Sequence, residues 1–368
     1  MFGQKSKLTK RKITMVRIDI LEQSKAVILG VQSTSLLQEE IDLFKAQKPL
    51  GFILFSRNIE SADQVKALTK SLREVVGWEC PILIDQEGGR VARLQNPMVP
   101  TSSPFKYFGD LYKTDMEAAK KAIALNTEMQ ASYLRDLGIN VNCSPVMDLI
   151  VEGAHDIIGD RSFSSNPDIV YECASVVCKT FLDFNITPIS KHLPGHGRAL
   201  CDSHEALPTV DLDIESLDHS DFKPFKLLHN QKPYDYGVWS MVAHIVYPQI
   251  SDMKPATKSR DLVDRIIRGH LNIDTFLLAD DIEMKALSGS EEEKTKACLE
   301  AGMDVILACN YKLDDMKRIL EAAYEMRPDS IQRFIKGEEI RLKSTLEPRD
   351  MDEISQELQL LFSKSLAA

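Results

Sequence analysis

Residues 191–204, KHLPGHGRALCDSH, bring three histidines, a lysine and an aspartate together on a segment with two glycines and a proline. Imidazoles and carboxylates at this density can bind a metal ion, bind a phosphate or transfer a proton. A glycine-rich phosphate-binding loop is excluded, because the segment lacks the GxxxxGK[ST] pattern and no predicted helix follows its glycines directly. A zinc site built on His192, His196 and His204 stays open from these residues alone.

Proton transfer fits the spacing of the same segment better. Asp202 and His204 are separated by one residue, so the carboxylate can bond one ring nitrogen and leave the other free to exchange a proton. Such a pair orients the imidazole and holds its pKa near the working pH, where general acid–base catalysis is most efficient. The glycines on the approach would let the segment close over a bound ligand.

Charged side chains also end several apolar runs elsewhere in the chain. Asp85 ends one run, Lys191 and His192 end a second, and Asp280 ends a third. Burying an unpaired charge costs several kcal/mol, so charges at several strand ends indicate a site that uses them. Taken singly, a strand-end aspartate is more often a loop cap, and a lone histidine such as His244 is more often a core residue.

Two arginines follow the third and fourth apolar runs. Arg93 comes shortly after DQEGGR (85–90), whose glycines would turn the backbone sharply while the acidic side chains face the mouth of the fold. Arg161 lies within IIGDRSF (157–163). Its guanidinium could bind a substrate oxygen or pair with a loop carboxylate, and both interpretations stay open.

The elements that must position these residues are eight short apolar runs separated by segments of helical period. Continuous apolarity is typical of strands buried on both faces, and strand–helix alternation predicts βαβ units. A doubly wound sheet would carry a glycine-rich turn after its first strand, and LGVQSTS is not one. The pattern therefore favours a single-domain α/β fold, the (β/α)8 TIM barrel. The predicted strands are 26–31, 51–55, 82–87, 140–145, 187–192, 240–248, 275–281 and 303–309.

The clearest helix is predicted from Asp115 to Leu137. Thr114 and Glu117 have the spacing of a capping box at its start, and Gly138 follows as its stop. Its apolar residues recur every three or four positions, as on one face of a helix. Further helices are predicted over Ser61–Val75, Pro167–Phe184 and Glu291–Ala301.

Composition limits the classes of function. We expect residues 1–20 to form a disordered tail, 21–340 the barrel and 341–368 a helical extension packed on it. The formal net charge of −10 argues against sequence-independent nucleic-acid binding. No apolar run approaches the ~20 residues that span a bilayer. Seven scattered cysteines without a CxxC pair argue against a zinc ribbon and indicate reduced thiols in the cytoplasm.

Seven motifs in order resemble the β-N-acetylglucosaminidases of glycoside hydrolase family 3, specifically the single-domain bacterial β-hexosaminidases of peptidoglycan recycling. The resemblance runs from about Lys25 to Asn310. Two departures leave the polar positions intact: Ala279 replaces a serine and Leu193 a phenylalanine. The motifs are GFILFSRNI, IDQEGGRVARL, IIGDRSF, KHLPGHGRALCDSH, MVAHIVYPQI, LLADDIEM and AGMDVILACN.

The resemblance implies residue roles. Asp280 is similar to the family's nucleophile, and His204 with Asp202 is similar to its acid/base dyad. His196 and His244 match motif histidines near the pocket. The positions that match sugar-binding residues are Asp85, Arg93, Arg161, Lys191 and His192.

The implied reaction is retaining hydrolysis that removes terminal β-linked N-acetylglucosamine from a peptidoglycan-derived muropeptide. We expect a monomer that needs neither cofactor nor metal and takes a small sugar substrate, without nucleic-acid or membrane partners. The alternatives are a related family 3 exo-glycosidase, a glycoside phosphorylase, a zinc-dependent hydrolase and a non-catalytic sugar-binding protein. Whether Asp280 or Asp281 attacks is not decided by strand parity.

Overall fold

A computed structural model describes residues 18–367, and eight strands within this range form a closed barrel. The strands in chain order are β1 (Lys25–Gly30), β2 (Pro49–Leu54), β3 (Ile82–Ile84), β4 (Gln86–Gly88), β5 (Val91–Ala92), β6 (Val141–Asn142), β7 (Thr187–Leu193), β8 (Trp239–Val242), β9 (Leu277–Asp281) and β10 (Val305–Ala308). The barrel runs β1–β2–β3–β6–β7–β8–β9–β10 and closes on β1, with every pair parallel. The predicted (β/α)8 barrel is confirmed.

The barrel strands are almost wholly buried, because side chains fill the interior and helices cover the outside. Each predicted run overlaps one barrel strand, but three of the runs extend three or more residues beyond the carboxyl end of that strand. The run 82–87 is interrupted at Asp85, the run 140–145 keeps only Val141–Asn142, and the run 240–248 ends at Val242. Ile245 and Tyr247 are fully buried but lie beyond the end of that strand. The apolar run therefore continues because these residues are buried, and not because they pair in the sheet.

Helices alternate with the barrel strands. The predictions for four of them are correct to within one residue at each end. The α-helices are Ile18–Leu21, Gln38–Gln47, Ala62–Val76, Phe105–Thr114, Met116–Asp136, Pro167–Asp183, Ile214–Asp218, Phe222–His229, Tyr234–Gly237, Glu291–Ala301, Leu313–Ala322, Pro328–Arg341 and Met351–Ala367. A π-helix covers Leu262–His270, and 3-10 turns cover Ser56–Asn58, Gly159–Arg161 and Ala256–Lys258.

The helix Met116–Asp136 begins with a different cap from the predicted one. Asp115 is the N-cap, and its side chain accepts a hydrogen bond from the backbone N–H of Ala118 at 2.9 Å. Thr114 instead ends the preceding helix and bonds back to Leu111. The capping-box prediction was wrong because Asp115 can supply the cap equally well. Gly138, at φ 76°, follows the helix as predicted.

Residues 1–17, which make up most of the predicted tail, lie outside the described residues. The last residues of the predicted tail belong to a short helix, Ile18–Leu21. At the other end, the helix Met351–Ala367 packs against Met116–Asp136, and the Phe362 ring lies 4.9 Å from that of Tyr107. Among the described helices, none has both the length and the apolarity to cross a membrane.

A buried aspartate joins elements at the amino-terminal end of the barrel. Asp304, which precedes β10, accepts hydrogen bonds from the backbone N–H of Leu277, Ser330 Oγ and Arg333 Nη1 at 2.8, 2.6 and 3.1 Å. Arg268 Nη2 lies 3.1 Å from its second oxygen. This carboxylate therefore connects β9, β10, the π-helix and the helix Pro328–Arg341.

Candidate active site

A cavity of about 600 Å³ opens at the carboxyl ends of the barrel strands, and it collects the predicted site residues. In TIM-barrel enzymes this end carries the chemistry. Asp202 lies behind His204 and does not line the cavity itself. Seven of the eight predicted residues line it: Asp85, Arg93, Arg161, Lys191, His192, His204 and Asp280.

The DQEGGR segment turns at the end of β3 into the hairpin β4–β5. Gly88 and Gly89 adopt φ values of 110° and 56°, which glycine reaches without strain. A Cβ on Gly88 would lie 2.6 Å from the Ser103 carbonyl oxygen, so only glycine fits there. The turn brings Asp85 and Glu87 to the same cavity wall.

Lys191, at the end of β7, lies between those two carboxylates. Its Nζ is 2.9 Å from Asp85 and 2.6 Å from Glu87. Arg93 adds a bond of 3.1 Å to Asp85, and Arg161 binds Glu87 through two nitrogens at 2.9 and 2.8 Å. Of the two interpretations of Arg161, the structure shows the pairing with a carboxylate, that of Glu87 in β4.

These pairs keep both carboxylates charged in spite of their burial. Burial alone would raise the pKa of Asp85, but Lys191 and Arg93 outweigh it and hold the pKa below its ordinary value. Arg161 and Lys191 lower the pKa of Glu87 against the same effect of burial. One wall of the cavity is therefore a fixed array of charges.

Asp280 and Asp281 end β9 side by side but have different environments. Asp280 is 7% exposed, and its one hydrogen bond is accepted from the Asp281 backbone N–H. Among the described residues, no lysine, arginine or histidine forms an ion pair with it. The Asp281 carboxylate accepts bonds from the backbone N–H groups of Glu283 and Cys309, both at 3.2 Å. Burial, with the nearby Asp280 charge, raises the pKa of Asp281 to about 7.

A residue that the sequence analysis missed, Asp148, organises the KHLPGHG segment. Its carboxylate lies 2.6 Å from His192 Nδ1 and accepts the backbone N–H of His196 at 2.6 Å. The His192 pair lowers the pKa of Asp148 although burial opposes this. The signal was present, because Asp148 interrupts the apolar run CSPVMDLI after the fourth strand, just as Asp85 and Asp280 end theirs.

The Asp202–His204 pair forms as predicted from its spacing. The Asp202 carboxylate lies 2.7 Å from His204 Nδ1 and accepts the His204 backbone N–H at 2.9 Å. These bonds lower the pKa of Asp202 in spite of partial burial. The His204 side chain is 60% exposed at the cavity mouth, so its Nε2 is open to solvent and ligand.

The two further histidines have different surroundings. His244 is fully buried and bonds Thr257 Oγ1 at 2.7 Å and the Asp281 carbonyl oxygen at 3.0 Å, which makes it a core histidine behind β9. His196 lines the cavity, and burial with the nearby His192 lowers its pKa to about 4. Its Nε2 lies 3.3 Å from Ser203 Oγ, and its Nδ1 is buried without a partner.

The three histidines of the zinc interpretation do not share a ligand position. His192 and His204 each turn Nδ1 to a different aspartate, and His196 turns Nε2 to Ser203. Within residues 18–367, no three histidine, cysteine, aspartate or glutamate side chains are grouped to hold a metal ion.

Comparison with known proteins agrees with this fold. Residues 17–333 match the family described as glycosyl hydrolase family 3 N terminal domain. A β-hexosaminidase of Idiomarina loihiensis is 31% identical over 310 residues, covering 83% of this chain and 90% of that protein. One of Tolumonas auensis is 32% identical over 323 residues, covering 87% and 93%.

Solved structures give the same result. NagZ from Neisseria gonorrhoeae, in complex with N-trifluoroacetyl-D-glucosamine, has a TM-score of 0.79 at 26% identity, over 93% of this chain and 97% of that one. A family 3 β-N-acetylglucosaminidase from Paenibacillus sp. has a TM-score of 0.80 at 27% identity, covering 94% and 68%. The chain therefore belongs to glycoside hydrolase family 3. Within that family of enzymes it falls among the β-N-acetylhexosaminidases.

Proposed function

We propose that this enzyme is a retaining exo-β-N-acetylglucosaminidase with Asp280 as nucleophile and the His204–Asp202 pair as acid/base. The observation that carries the proposal is the contrast among the cavity carboxylates. Asp85 and Glu87 are bound by cations, whereas Asp280 reaches the same cavity without one. A carboxylate that is not held by a cation is free to form a bond to a sugar carbon.

In the first step Asp280 attacks the anomeric carbon while the bond to the leaving oxygen breaks. His204 gives its proton to that oxygen, and a glycosyl ester of Asp280 forms. In the second step His204 takes a proton from water, whose oxygen attacks the same carbon and releases Asp280. Both steps pass through an oxocarbenium-like transition state, and two inversions retain the β configuration.

Asp281 is the weaker candidate for the attack. Its carboxylate is engaged by two backbone N–H groups, one of them from Cys309 at the end of β10. With its pKa raised to about 7, a large part of it carries a proton at neutral pH, and a protonated carboxyl is a poor nucleophile. These two features support Asp280.

The histidine pair suits the proton-transfer role. Because the Asp202 carboxylate can only accept a hydrogen bond, His204 Nδ1 carries the proton between them, and Nε2 is left for the glycosidic oxygen and then for water. Gly195 and Gly197 lie on the approach to this exposed end of the segment. We expect the segment to close over the sugar when it binds.

The charged wall would bind the terminal sugar through its hydroxyl groups. Asp85, Arg93 and Lys191 present fixed acceptors and donors, and the buried Arg93 Nε has no partner in the described residues. His192 and Arg161 complete this set at the cavity. An array already held by ion pairs binds a polyol without reorganising.

The substrate we propose is a muropeptide of the N-acetylglucosaminyl-anhydromuramic acid type, cleaved in the cytoplasm by a monomer. The resemblance to the peptidoglycan-recycling group supports the substrate. The N-acetylglucosamine derivative bound to the Neisseria neighbour supports the terminal sugar. Seven free cysteines, six of them buried, support a reducing compartment.

Trapping of the glycosyl-enzyme tests the proposal. A 5-fluoro-N-acetylglucosaminyl fluoride keeps the acetamido group and slows hydrolysis of the ester. Trypsin releases residues 269–285, which contain both aspartates, so fragment ions in the mass spectrum assign the labelled residue. We expect the label on Asp280. A label on Asp281, or turnover without a covalent adduct under these conditions, would contradict the assignment.

Phosphorolysis is the second reaction that this site could support. A histidine acid/base places less negative charge near the acceptor than a carboxylate would, so a phosphate anion could replace water. Product analysis with and without phosphate separates the reactions, because phosphorolysis yields N-acetylglucosamine 1-phosphate and hydrolysis the free sugar. We expect the free sugar in both conditions.

A further inference from the structure

The Asp148 carboxylate lies between two parts of the site that perform different tasks. It is 1% exposed and receives the ring Nδ1 of His192 on one side. On the other side it accepts a hydrogen bond from the backbone N–H of His196. His196 is the first residue of the segment that leads to His204. The backbone N–H of His192 also points to it, at 3.2 Å.

The residues after Asp148 form a surface on which the same segment lies. The Leu149 carbonyl oxygen is so close to Gly197 that a Cβ there would approach it to 2.2 Å. Further on, the backbone N–H of His155 bonds the Ala199 carbonyl oxygen at 2.9 Å. Residues 196–199, which we name the loop root, are thus held from Asp148 to His155, while His204 at the far end stays exposed.

We propose that Asp148 is a positioning residue that holds both His192, which faces the sugar, and the loop root that carries the acid/base residue His204. The proposal rests on the function proposed above. One carboxylate holds the ring that faces the sugar and, through its second oxygen, the loop root that carries the proton donor. A change at Asp148 therefore disturbs ground-state binding and proton transfer together.

The bonding capacity of a carboxylate explains why this position needs one. An ionised carboxylate only accepts hydrogen bonds, so it fixes the proton of His192 on Nδ1 and leaves the Nε2 lone pair for a sugar hydroxyl. Asp148 has two oxygens and three N–H donors around it. In Asp148→Asn one oxygen becomes an NH2 group, which cannot accept, so at least one buried donor loses its partner.

Asp221 offers a matched comparison. It is 2% exposed and accepts Arg198 Nε at 2.6 Å, so it also holds the loop root. Its carboxylate also accepts a hydrogen bond from Ser220 Oγ at 2.9 Å, and among the described residues no hydrogen bond joins it to His192. Asp221→Asn is the same chemical change at a second buried carboxylate, but it should affect the loop root alone.

Two measurements separate the functions. The dissociation constant of N-acetylglucosamine, from calorimetry, reports the sugar side. Stimulation of aryl N-acetylglucosaminide turnover by azide reports the acid/base side, because azide attacks the glycosyl ester without a general base and releases the Asp280 carboxylate. A variant that is merely less stable shows neither change once it is folded.

We expect Asp148→Asn to bind N-acetylglucosamine about tenfold more weakly than the wild type, as loss of one good hydrogen bond predicts. Its turnover should be stimulated by azide several-fold more than that of the wild type. Asp221→Asn should show the azide effect with unchanged sugar affinity. A folded Asp148→Asn with wild-type affinity, or with the wild-type response to azide, would overturn the proposal.

A second variant keeps the test decisive if Asp148→Asn does not fold. Gly197→Ala pushes the loop root off Leu149 without touching His192, and it should show azide stimulation at wild-type sugar affinity. Absence of stimulation would mean that the loop root does not place His204, and it would overturn the proposal. Failure of the wild type itself to cleave an aryl N-acetylglucosaminide would refute the proposed function instead.

Discussion

Two clusters of buried charges lie at opposite ends of the barrel. At the carboxyl ends of the strands is the rim cluster, made of Asp85, Glu87, Arg93, Arg161 and Lys191. At the amino ends is the base cluster, made of Asp304, Arg268, Ser330 and Arg333. Both bury carboxylates, and both neutralise them with cations, as burial of a charge requires.

The two clusters differ in whether all of their polar atoms have hydrogen-bond partners inside the protein. Both oxygens of Asp304 are used within the protein, on four donors from three elements. The rim cluster instead borders a cavity, keeps the buried Arg93 Nε without a partner among the described residues, and lies beside the unpaired Asp280. The same residue types therefore stabilise the fold when every bond is made internally, and can serve a ligand when some are not.

The largest effect is expected from Asp280→Asn. Loss of the proposed nucleophile should lower kcat/KM for an aryl N-acetylglucosaminide by a factor on the order of 10⁴. Because no cation loses a partner, the urea midpoint of unfolding should hardly change. Steady-state kinetics and urea unfolding on one preparation test both parts, and a stable variant with near-normal turnover would remove Asp280 from the mechanism.

His204→Ala should produce the next largest effect, and its size should depend on the leaving group. Loss of general acid–base catalysis costs a factor of about 10² to 10⁴, but an activated aryl leaving group needs no proton. Substrates with poor leaving groups should therefore lose the most rate. His219→Ala, at another exposed histidine, is the control and should leave all rates unchanged. Equal loss on all substrates would argue against the acid/base role.

Asp304→Asn should reverse the pattern seen for Asp280→Asn. Breaking a buried ion pair by removing one partner costs about 3–5 kcal/mol, because it leaves the remaining charges uncompensated. The urea midpoint should fall accordingly, while kcat of the folded enzyme stays within about twofold. A fall in kcat without a fall in stability would show that the base cluster is coupled to the catalytic end.

The smallest effect concerns the pH dependence of stability. Folding raises the pKa of Asp281 to about 7, so between about pH 4 and 7 the folded protein holds a proton that the unfolded chain has lost. This group therefore lowers stability progressively as the pH rises through that window. In Asp281→Asn this penalty is absent. The free energy of unfolding of the variant should therefore rise relative to that of the wild type by about 2 kcal/mol as the pH goes from 5.5 to 7.

Urea unfolding at a series of pH values measures this gain. Asp213→Asn serves as the control at an exposed aspartate and should show no such gain. A constant difference between Asp281→Asn and the wild type across the window would mean that Asp281 titrates normally.

The sequence predicted the barrel and most of the cavity, but it did not predict the pairing of the charges. Asp85, Lys191 and Asp280 could be found because each ends an apolar run. Asp148 interrupts an apolar run in the same way and was overlooked, although its contact with His196, 48 residues away, could not be read from that pattern. Asp304 was not identified, since its partners lie 26 to 36 residues away and no local pattern reports such contacts. The predicted cap of the helix Met116–Asp136 was wrong for a local reason, because the adjacent residues Thr114 and Asp115 could each act as the N-cap.

What the sequence by itself determined is the set of buried strands and the polar residues that end them, because apolar period and chain direction place every carboxyl end of a closed parallel barrel on one rim. The tertiary structure alone decided which carboxylates receive cations and which, such as Asp280, do not. That choice depends on distances of a few ångströms between residues up to 106 positions apart, such as Lys191 and Asp85, and only the packed barrel fixes those distances.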